Sequence, residues 1–332
     1  MVWLLVFLAG SASGQFFVVN NPGDGSGNGT LLGYNFDGTL INNSTPLLSN
    51  GNPAELATDG TNLFVTYFNF GVVGKYTTTG GIVNPSLVSG LTNPNCLAIS
   101  GTNLFVADQN RIGRYTTFGL AVNANLVTNL GISIMGMTVI GTNLFISLSS
   151  GRTVAEYTID GAIVNTNLIS GLGGVWGLAT DGTNLFVAYS GAIGKYSSSG
   201  SPVSPILISG IVSGPSELTI VGTNIFAVTR AGSTIGQYTT SGVTANPVFV
   251  AGGHYFEGIA AVPVSQAAPP PATGITTFSN QPVVIWPVSG GNYTLQTTTN
   301  LASGNWVTVS NYTPVTGAMI TNASSPAFFR LH

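Results

Sequence analysis

Charged side chains are scarce in this chain. Its 332 residues include only 7 Lys and Arg and 10 Asp and Glu, so 5% are charged, against about 25% in an ordinary soluble domain. Seven scattered cations cannot form the positive surface that a phosphate backbone requires, which excludes nucleic-acid binding. A hydrophobic fraction of 44% with a net charge of −3 also excludes disorder driven by charge.

Cysteines and long apolar runs are also rare. The single cysteine, Cys96, excludes a disulfide scaffold. No apolar run reaches the roughly 20 residues of a transmembrane helix. Val2–Ala9 is followed by small residues, which predicts a secretory signal peptide over residues 1–14; a buried first strand is the alternative. We therefore expect a secreted or cell-surface protein without a membrane span, in which Cys96 is buried away from oxidants.

A repeat with a period of 40 or 41 residues dominates the rest of the chain. The pentapeptide Gly-Thr-Asn-(Leu/Ile)-Phe begins at Gly60, Gly101, Gly141, Gly182 and Gly222. A small residue two positions before a tyrosine recurs at Tyr76, Tyr115, Tyr157, Tyr196 and Tyr238, and Tyr34, directly after Gly33, is an earlier copy of this strand. This period is typical of a β-propeller blade.

One period predicts four short strands. In the fourth full copy these are residues 178–180, 185–188, 193–196 and 203–208. The hairpin between the first two contains Gly182 and Asn184, residue types that tolerate positive φ. Four antiparallel strands per repeat again indicate a propeller blade.

The two ends of the repeat region complement each other. Residues 16–19 read as a second strand that lacks its first, and residues 259–261 read as a first strand with nothing after it. We predict that they share one sheet, which closes an all-β, six-bladed β-propeller over residues 15–263. A linear solenoid is the alternative.

One blade resembles the NHL-type propeller repeat of secreted bacterial proteins. Its residues are Pro94-Asn95-Cys96-Leu97-Ala98-Ile99, followed by Leu104 to Tyr115 with the sequence Asp108-Gln109-Asn110-Arg111. The other blades lack the Asp-x-Asn-Arg part. The resemblance implies the propeller fold, and such propellers serve as binding platforms and as lyases or lactonases.

A second unit follows the propeller. Residues 264–274, VSQAAPPPATG, are a Pro/Ala linker of the extended kind. Alternating apolar stretches separated by Gly, Asn and Pro then predict a small β-sandwich over residues 275–332. It resembles short C-terminal modules of large secreted bacterial proteins, which implies an accessory, adhesive or sorting role; a structural cap is the equal alternative.

The variable face of the propeller is the expected place for a site. The Gly-Thr-Asn turns on one face are near copies, whereas the loops on the other face differ between blades, as a specific site requires. Alignment of the first strands places six residues at the same height along the propeller axis: Glu55, Cys96, Gly136, Gly177, Glu217 and Gly258. The residues before them are Ala54, Asn95, Met135, Trp176, Ser216 and Glu257.

Three of the four glutamates fall in this alignment, at Glu55, Glu217 and Glu257. Carboxylates held close together either attract a cation or acquire raised pKa values. We hypothesise a Ca²⁺ (calcium) site formed by the three glutamates with Asn95. Separately solvated carboxylates are the alternative.

Aromatic and polar residues of the same face predict a ligand surface. The candidate binding residues are Tyr67, Asn69, Asp108, Trp176, Tyr189, Arg230, His254 and Tyr255. Packing between blades is the alternative role for the aromatic ones.

These features favour a binding or adhesion module for an extracellular glycan or peptide, without catalysis. A metal-dependent lactonase or lyase that uses the glutamates is the enzymatic alternative, and a purely structural role stays open.

Overall fold

The computed structural model describes most of the chain. The described propeller residues are 14–21, 26–130, 134–149, 151–229, 234–252 and 255–262. Six short strands of the tail are described as well: 274–278, 281–285, 295–298, 307–308, 318–320 and 328–331. The predicted signal peptide up to residue 13 and the linker residues 264–273 lie outside the described residues.

All described regular elements are strands. The first three blades along the chain contain β1 (Gln15–Asn21), β2 (Thr30–Asn35), β3 (Leu40–Pro46), β4 (Pro53–Thr58), β5 (Asn62–Tyr67), β6 (Val72–Thr77), β7 (Ile82–Val88), β8 (Pro94–Ser100), β9 (Asn103–Asp108), β10 (Arg111–Thr116) and β11 (Ala121–Val127). The other three contain β12 (Ile134–Ile140), β13 (Asn143–Leu148), β14 (Thr153–Thr158), β15 (Ile163–Ile169), β16 (Val175–Thr180), β17 (Asn184–Tyr189), β18 (Ala192–Ser197), β19 (Pro202–Ile208), β20 (Pro215–Val221), β21 (Asn224–Thr229), β22 (Thr234–Thr239) and β23 (Thr244–Ala251). The last propeller strand, β24 (Tyr255–Val262), belongs to the first blade.

These strands form six four-stranded antiparallel sheets, one for each blade. Five blades use consecutive strands, such as β16 to β19, which match the four strands predicted from one repeat. The predicted all-β, six-bladed propeller is therefore confirmed. No helix in the described part of the chain is long and apolar enough to cross a membrane.

The sixth sheet joins the two ends of the propeller. Its strand order is β24-β1-β2-β3, with Phe17 paired to Ala260 and Val18 to Ile259. The predicted closure is confirmed, and the linear solenoid is wrong. Because the terminal strands pair, the ring leaves no free sheet edge at the point where the ends meet.

The repeated pentapeptide has a structural explanation. Its phenylalanine is fully buried in every copy, at Phe64, Phe105, Phe145, Phe186 and Phe226. Its glycine adopts positive φ, for example +89° at Gly60. In that turn, the Asp59 carboxylate accepts the amide hydrogens of Thr61 and Asn62 at 2.9 and 2.7 Å. The near-identical turns therefore fix the hairpins.

Both lysines of the chain hold neighbouring blades together. Lys75 Nζ donates to the Thr117 carbonyl at 3.1 Å, and Lys195 Nζ donates to the Thr240 carbonyl at 3.3 Å. Each ammonium group also lies over a phenylalanine ring of its own blade, at 5.2 or 5.3 Å from the centroid. Each ammonium charge is therefore stabilised by a carbonyl oxygen and by the face of an aromatic ring.

The tail contains two three-stranded sheets. Their strands are β25 (Gly274–Phe278), β26 (Gln281–Ile285), β27 (Leu295–Thr298), β28 (Val307–Thr308), β29 (Ala318–Ile320) and β30 (Phe328–Leu331). One sheet has the order β25-β26-β29 and the other β28-β27-β30. The all-β character of the tail follows; the packing of the sheets into a sandwich stays a prediction.

Replacing Phe226 by Ala tests the closure of the ring. Phe226 is fully buried, and its ring stacks on Phe16 of β1 with centroids 5.0 Å apart. We expect Phe226→Ala to lower the free energy of unfolding by about 3–5 kcal/mol, because it leaves a cavity between the first and last blades. Denaturant unfolding measures this. Leu120→Ala, at a side chain with 69% exposure, is the control; equal effects of the two changes would contradict the explanation.

Candidate functional site

A cavity of about 260 Å³ lies at the mouth of the propeller channel. Every blade contributes to it through its first strand. The lining residues are Asn52, Pro53, Ala54, Glu55, Phe68, Asn95, Met135, Trp176, Ser216, Glu217, Glu257 and Gly258. The alignment of first strands therefore predicted which residues meet, because each blade presents the same strand position to the channel.

Glycines bring the first strands close together below the cavity. A Cβ atom on Gly258 would lie 2.3 Å from the Leu56 nitrogen, and one on Gly136 would lie 2.6 Å from the Trp176 carbonyl oxygen. A Cβ on Gly177 would lie 2.7 Å from Glu217 Oε1. No side chain fits at these three positions without displacing its neighbour, so glycine here sets the width of the channel.

Glu55 and Glu217 form a hydrogen bond with each other although they lie two blades apart in the ring. The blade between them presents Gly258, which has no side chain to separate them. The Leu56 amide donates to Glu55 Oε1 at 2.9 Å, and the Glu55 amide donates to Thr66 Oγ1 at the same distance. These contacts fix the Glu55 carboxyl in the channel.

The pKa values of both carboxyl groups are raised, so both are protonated at neutral pH. Burial, with a smaller contribution from the charge of Glu257, raises the pKa of Glu55 from 4.5 to about 8. Burial also raises the pKa of Glu217 well above its usual value, followed by the charge of Glu55 and the hydrogen bond between them. That bond lowers the pKa of Glu55 and raises the pKa of Glu217, so Glu217 is the donor.

Cys96 lies beside this pair and is 1% exposed. Burial raises the pKa of its thiol, and the charges of Glu55 and Glu217 raise it further. The thiol is therefore protonated and shielded, which suppresses its reactivity. The expected burial of Cys96 is confirmed.

Asn95 contributes an acceptor without a partner. Its Nδ2 donates to the Ile134 carbonyl at 2.6 Å, which fixes the orientation of the amide. Its Oδ1 is shielded from solvent and accepts no hydrogen bond from the described residues. Buried polar atoms in proteins are almost always paired, so this oxygen is an exception within the wall.

Two aromatic rings complete the wall. The Trp176 carbonyl accepts a hydrogen bond from Ser147 Oγ of the preceding blade at 2.5 Å. A Cβ on Gly174 would lie 2.4 Å from the Trp176 ring, so glycine leaves space for the indole. Phe68, in the loop after β5, is 37% exposed and faces the same cavity.

Five of the predicted site residues thus come together: Trp176, Glu55, Asn95, Glu217 and Glu257. The binding and metal roles given to them stay predictions. Among the described residues, no group of three or more His, Cys, Asp or Glu side chains is placed to hold a metal ion. The Ca²⁺ hypothesis therefore gains no support from the geometry.

Other predicted ligand residues have structural partners outside the cavity lining. The Tyr67 hydroxyl bonds that of Tyr76, and Tyr67 is fully buried. The Tyr189 hydroxyl donates to the Pro205 carbonyl at 2.5 Å. Asn69 Nδ2 donates to the Asn50 carbonyl at 2.9 Å. Tyr255, 44% exposed, does not line the cavity, and Arg230 and His254 lie outside the described residues.

Asp108 stabilises a loop. It is 1% exposed, its carboxylate accepts the Thr92 and Asn93 amide hydrogens at 2.8 and 2.7 Å, and it pairs with Arg111 at 2.6 Å. The Asp-x-Asn-Arg sequence of this blade therefore fixes the connection into β8. Asn52 and Pro53 also line the cavity but were absent from the predicted residues, because they lie before the strand positions that the alignment covers.

Replacing Glu55 by Gln tests the raised pKa of this carboxyl group. An unfolded Glu loses its proton near pH 4.5, whereas folded Glu55 keeps it up to about pH 8. The free energy of unfolding should therefore fall as pH rises through this interval, by at most about 1.4 kcal/mol per pH unit for each such group. We expect Glu55→Gln to flatten this slope, as measured by denaturant unfolding at several pH values.

Asp59→Asn is the matched control for that experiment. The pKa of Asp59 is lowered, so its contribution is lost only on acidification below about pH 4. It should leave the slope above pH 5 unchanged. An equally steep slope in Glu55→Gln would show that the Glu55 carboxyl ionises freely in the folded protein.

The chain matches no protein-family model and no curated protein sequence. Its fold is nevertheless similar to several solved structures. A nidogen/laminin complex has a TM-score of 0.59 at 15% identity, over 75% of this chain and 98% of that one. A protein of unknown function from Bacteroides caccae gives 0.57 at 14% identity, over 75% and 99%. A gluconolactonase from Xanthomonas campestris gives 0.50 at 15% identity, over 61% and 77%. At these identities the similarity shows the propeller fold alone.

Proposed function

We propose that this chain is a secreted binding module that recognises a glycan or peptide at the channel mouth, without catalysis. The observation that carries the proposal is the cavity itself, whose wall includes residues from the first strands of all six blades. A site assembled in this way depends on the whole ring. It also lies on the face where the loops differ between blades, which is where specificity can arise.

The size and chemistry of the cavity support a small recognised group. Its volume of about 260 Å³ lies just under the roughly 300–1,000 Å³ of pockets that enclose drug-sized ligands. It fits one sugar unit or one amino-acid side chain at the end of a longer ligand. Trp176 and Phe68 offer apolar ring faces beside a few oriented polar groups, the usual composition of a ligand pocket.

The location of the protein outside the cell is part of this proposal. It rests on the predicted signal peptide over residues 1–14 and on a composition with few charges. A nidogen/laminin complex among the structural neighbours is compatible with a propeller that binds another protein, although the two chains share only 15% identity.

Replacing Trp176 by Ala tests the binding site. A glycan array and a peptide library, screened with the full chain, should identify a ligand that changes the fluorescence of Trp176. We expect Trp176→Ala to weaken binding by at least tenfold, since stacked aromatic contacts dominate such sites. Phe70→Ala is the control, because Phe70 is a 48% exposed aromatic residue outside the lining. A ligand that binds both variants equally would place the site elsewhere.

One observation favours the enzymatic alternative, a metal-dependent lactonase or lyase. Carboxyl groups with strongly perturbed pKa values in a cavity are candidates for acid–base chemistry. Such an enzyme should retain a stoichiometric metal ion, lose it in Glu217→Gln, and melt at a higher temperature with added calcium. The binding module predicts none of these. Metal analysis of the purified protein, together with lactone hydrolysis assays, separates the two functions.

A further inference from the structure

We infer that the group recognised in the channel-mouth cavity is an ammonium group. This inference rests on the proposed function, because it names the chemical class of ligand for the same site. The cavity combines several oxygen acceptors, three carboxyl groups and two aromatic rings. An ammonium group is the ligand feature that satisfies all of them together.

Hydrogen-bond donors in the lining are largely occupied. Asn95 Nδ2 donates to the Ile134 carbonyl, and Ser216 Oγ donates to the Val228 carbonyl at 3.3 Å. The Trp176 indole N–H and the Asn52 amide nitrogen are the remaining nitrogen donors among the described lining side chains, while Asn52 Oδ1 accepts from Asn21 at 3.2 Å. Carboxyl oxygens outnumber them in the lining, so a ligand that brings donors fits this cavity better than one that brings acceptors.

Acceptors are in excess, and one has no partner. Asn95 Oδ1 is shielded from solvent and unpaired among the described residues, although Asn95 lines the cavity. An unmade bond at such a buried atom costs about 1–3 kcal/mol. An ammonium group presents three donors and no acceptor, so it complements the carboxyl oxygens of the lining.

The charge of the lining points to a cation. Glu55, Glu217 and Glu257 all line the cavity, and none of the described lining residues is Lys, Arg or His. Glu55 and Glu217 are hydrogen-bonded to each other, and the charge of Glu257 raises the pKa of Glu55. A cation would be attracted to these carboxyl groups and would favour their ionisation, whereas an anionic ligand would be repelled.

The aromatic wall also suits a cation. Trp176 and Phe68 both line the cavity, and indole is the ring that attracts cations most strongly. The same chain already uses this interaction, since Lys75 Nζ lies 5.2 Å from the Phe64 ring centroid and Lys195 Nζ 5.3 Å from that of Phe186. A cation between the carboxyl groups and Trp176 would repeat that arrangement at a ligand site.

An ammonium group can come from a lysine side chain of a peptide or from an amino sugar of a glycan. Two matched pairs of probes distinguish these sources. One pair is Nα-acetyl-lysine amide and Nα-acetyl-norleucine amide, which has a similar side chain without the ammonium. The other pair is glucosamine and glucose.

Trp176 is the only tryptophan between residues 15 and 263, so it reports on the cavity. The experiment uses the full chain with Trp3→Phe, Trp286→Phe and Trp306→Phe, titrated with each probe and monitored by fluorescence. We expect at least one amine to bind about tenfold more tightly than its neutral partner, the usual effect of a charge-assisted contact. The amine that binds better identifies the source of the ammonium group.

Two variants locate the effect. Glu257→Gln should weaken amine binding about tenfold and remove the preference over the neutral partner. Glu156→Gln changes the one glutamate outside the cavity lining and should leave affinity unchanged. If Glu257→Gln does not fold, the comparison of amine with neutral probe on the parent chain still decides.

Each other outcome overturns the inference in a recognisable way. Equal binding of neutral and amine probes would refute the ammonium group while leaving the proposed binding site intact. A preference for amines that survives Glu257→Gln would place the cation away from these carboxyl groups. If no probe alters Trp176 fluorescence, the inference fails, and the glycan and peptide screen then decides whether the proposed function fails with it.

Discussion

The close approach of six strands around one axis determines most of what this protein can do. At Gly136, Gly177 and Gly258, the neighbouring backbone or side chain occupies the place where a Cβ would be. Because those strands come so close, the side chains at the equivalent positions Glu55, Cys96 and Glu217 converge in the channel. The cavity above them, the raised pKa values of the two carboxyl groups and the shielded thiol all follow from this narrowing.

The scarcity of charge has a related structural meaning. Lys75 and Lys195 each span to the next blade, and Arg114 reaches Asp160 of the next blade at 2.7 Å. These three cations are thus used where one sheet meets another, whereas Glu is the only charged residue type among the described lining residues of the channel mouth. The blade interfaces and the channel mouth thus differ in which charged side chains they contain, rather than in how many.

The sequence predicted the fold well because the repeat encodes it directly. Each copy of the pentapeptide contains a buried phenylalanine and a turn glycine such as Gly60, so the same structural requirement recurs along the chain. The blade that is split between the two ends is incomplete until its strands pair, and the sequence shows both halves. The convergence of Glu55, Glu217 and Glu257 near the channel axis could also be predicted, since equivalent positions of the first strands meet there. The contact between Glu55 and Glu217 could not be predicted, because it depends on the blade between them having only Gly258 at this position.

Individual roles within the site were harder to predict for a physical reason. Tyr67, Asp108 and Tyr189 occupy equivalent positions at the ends of second strands, but each is held by a partner specific to its own blade: Tyr76, Arg111 or Pro205. A repeat pattern shows where a residue lies along a strand. It does not show which neighbour takes its hydrogen bond, since that depends on loops that differ between blades.

The pairing of β1 with β24 also constrains how the molecule is made. Val18 and Ile259 are partners although 241 residues separate them in the chain. During synthesis the first blade must wait, with one strand missing, until nearly the whole propeller has left the ribosome, and contacts of such long range slow folding. If the chain is exported through the membrane in an unfolded state, this delay is an advantage, since the ring can close only after the last blade has crossed.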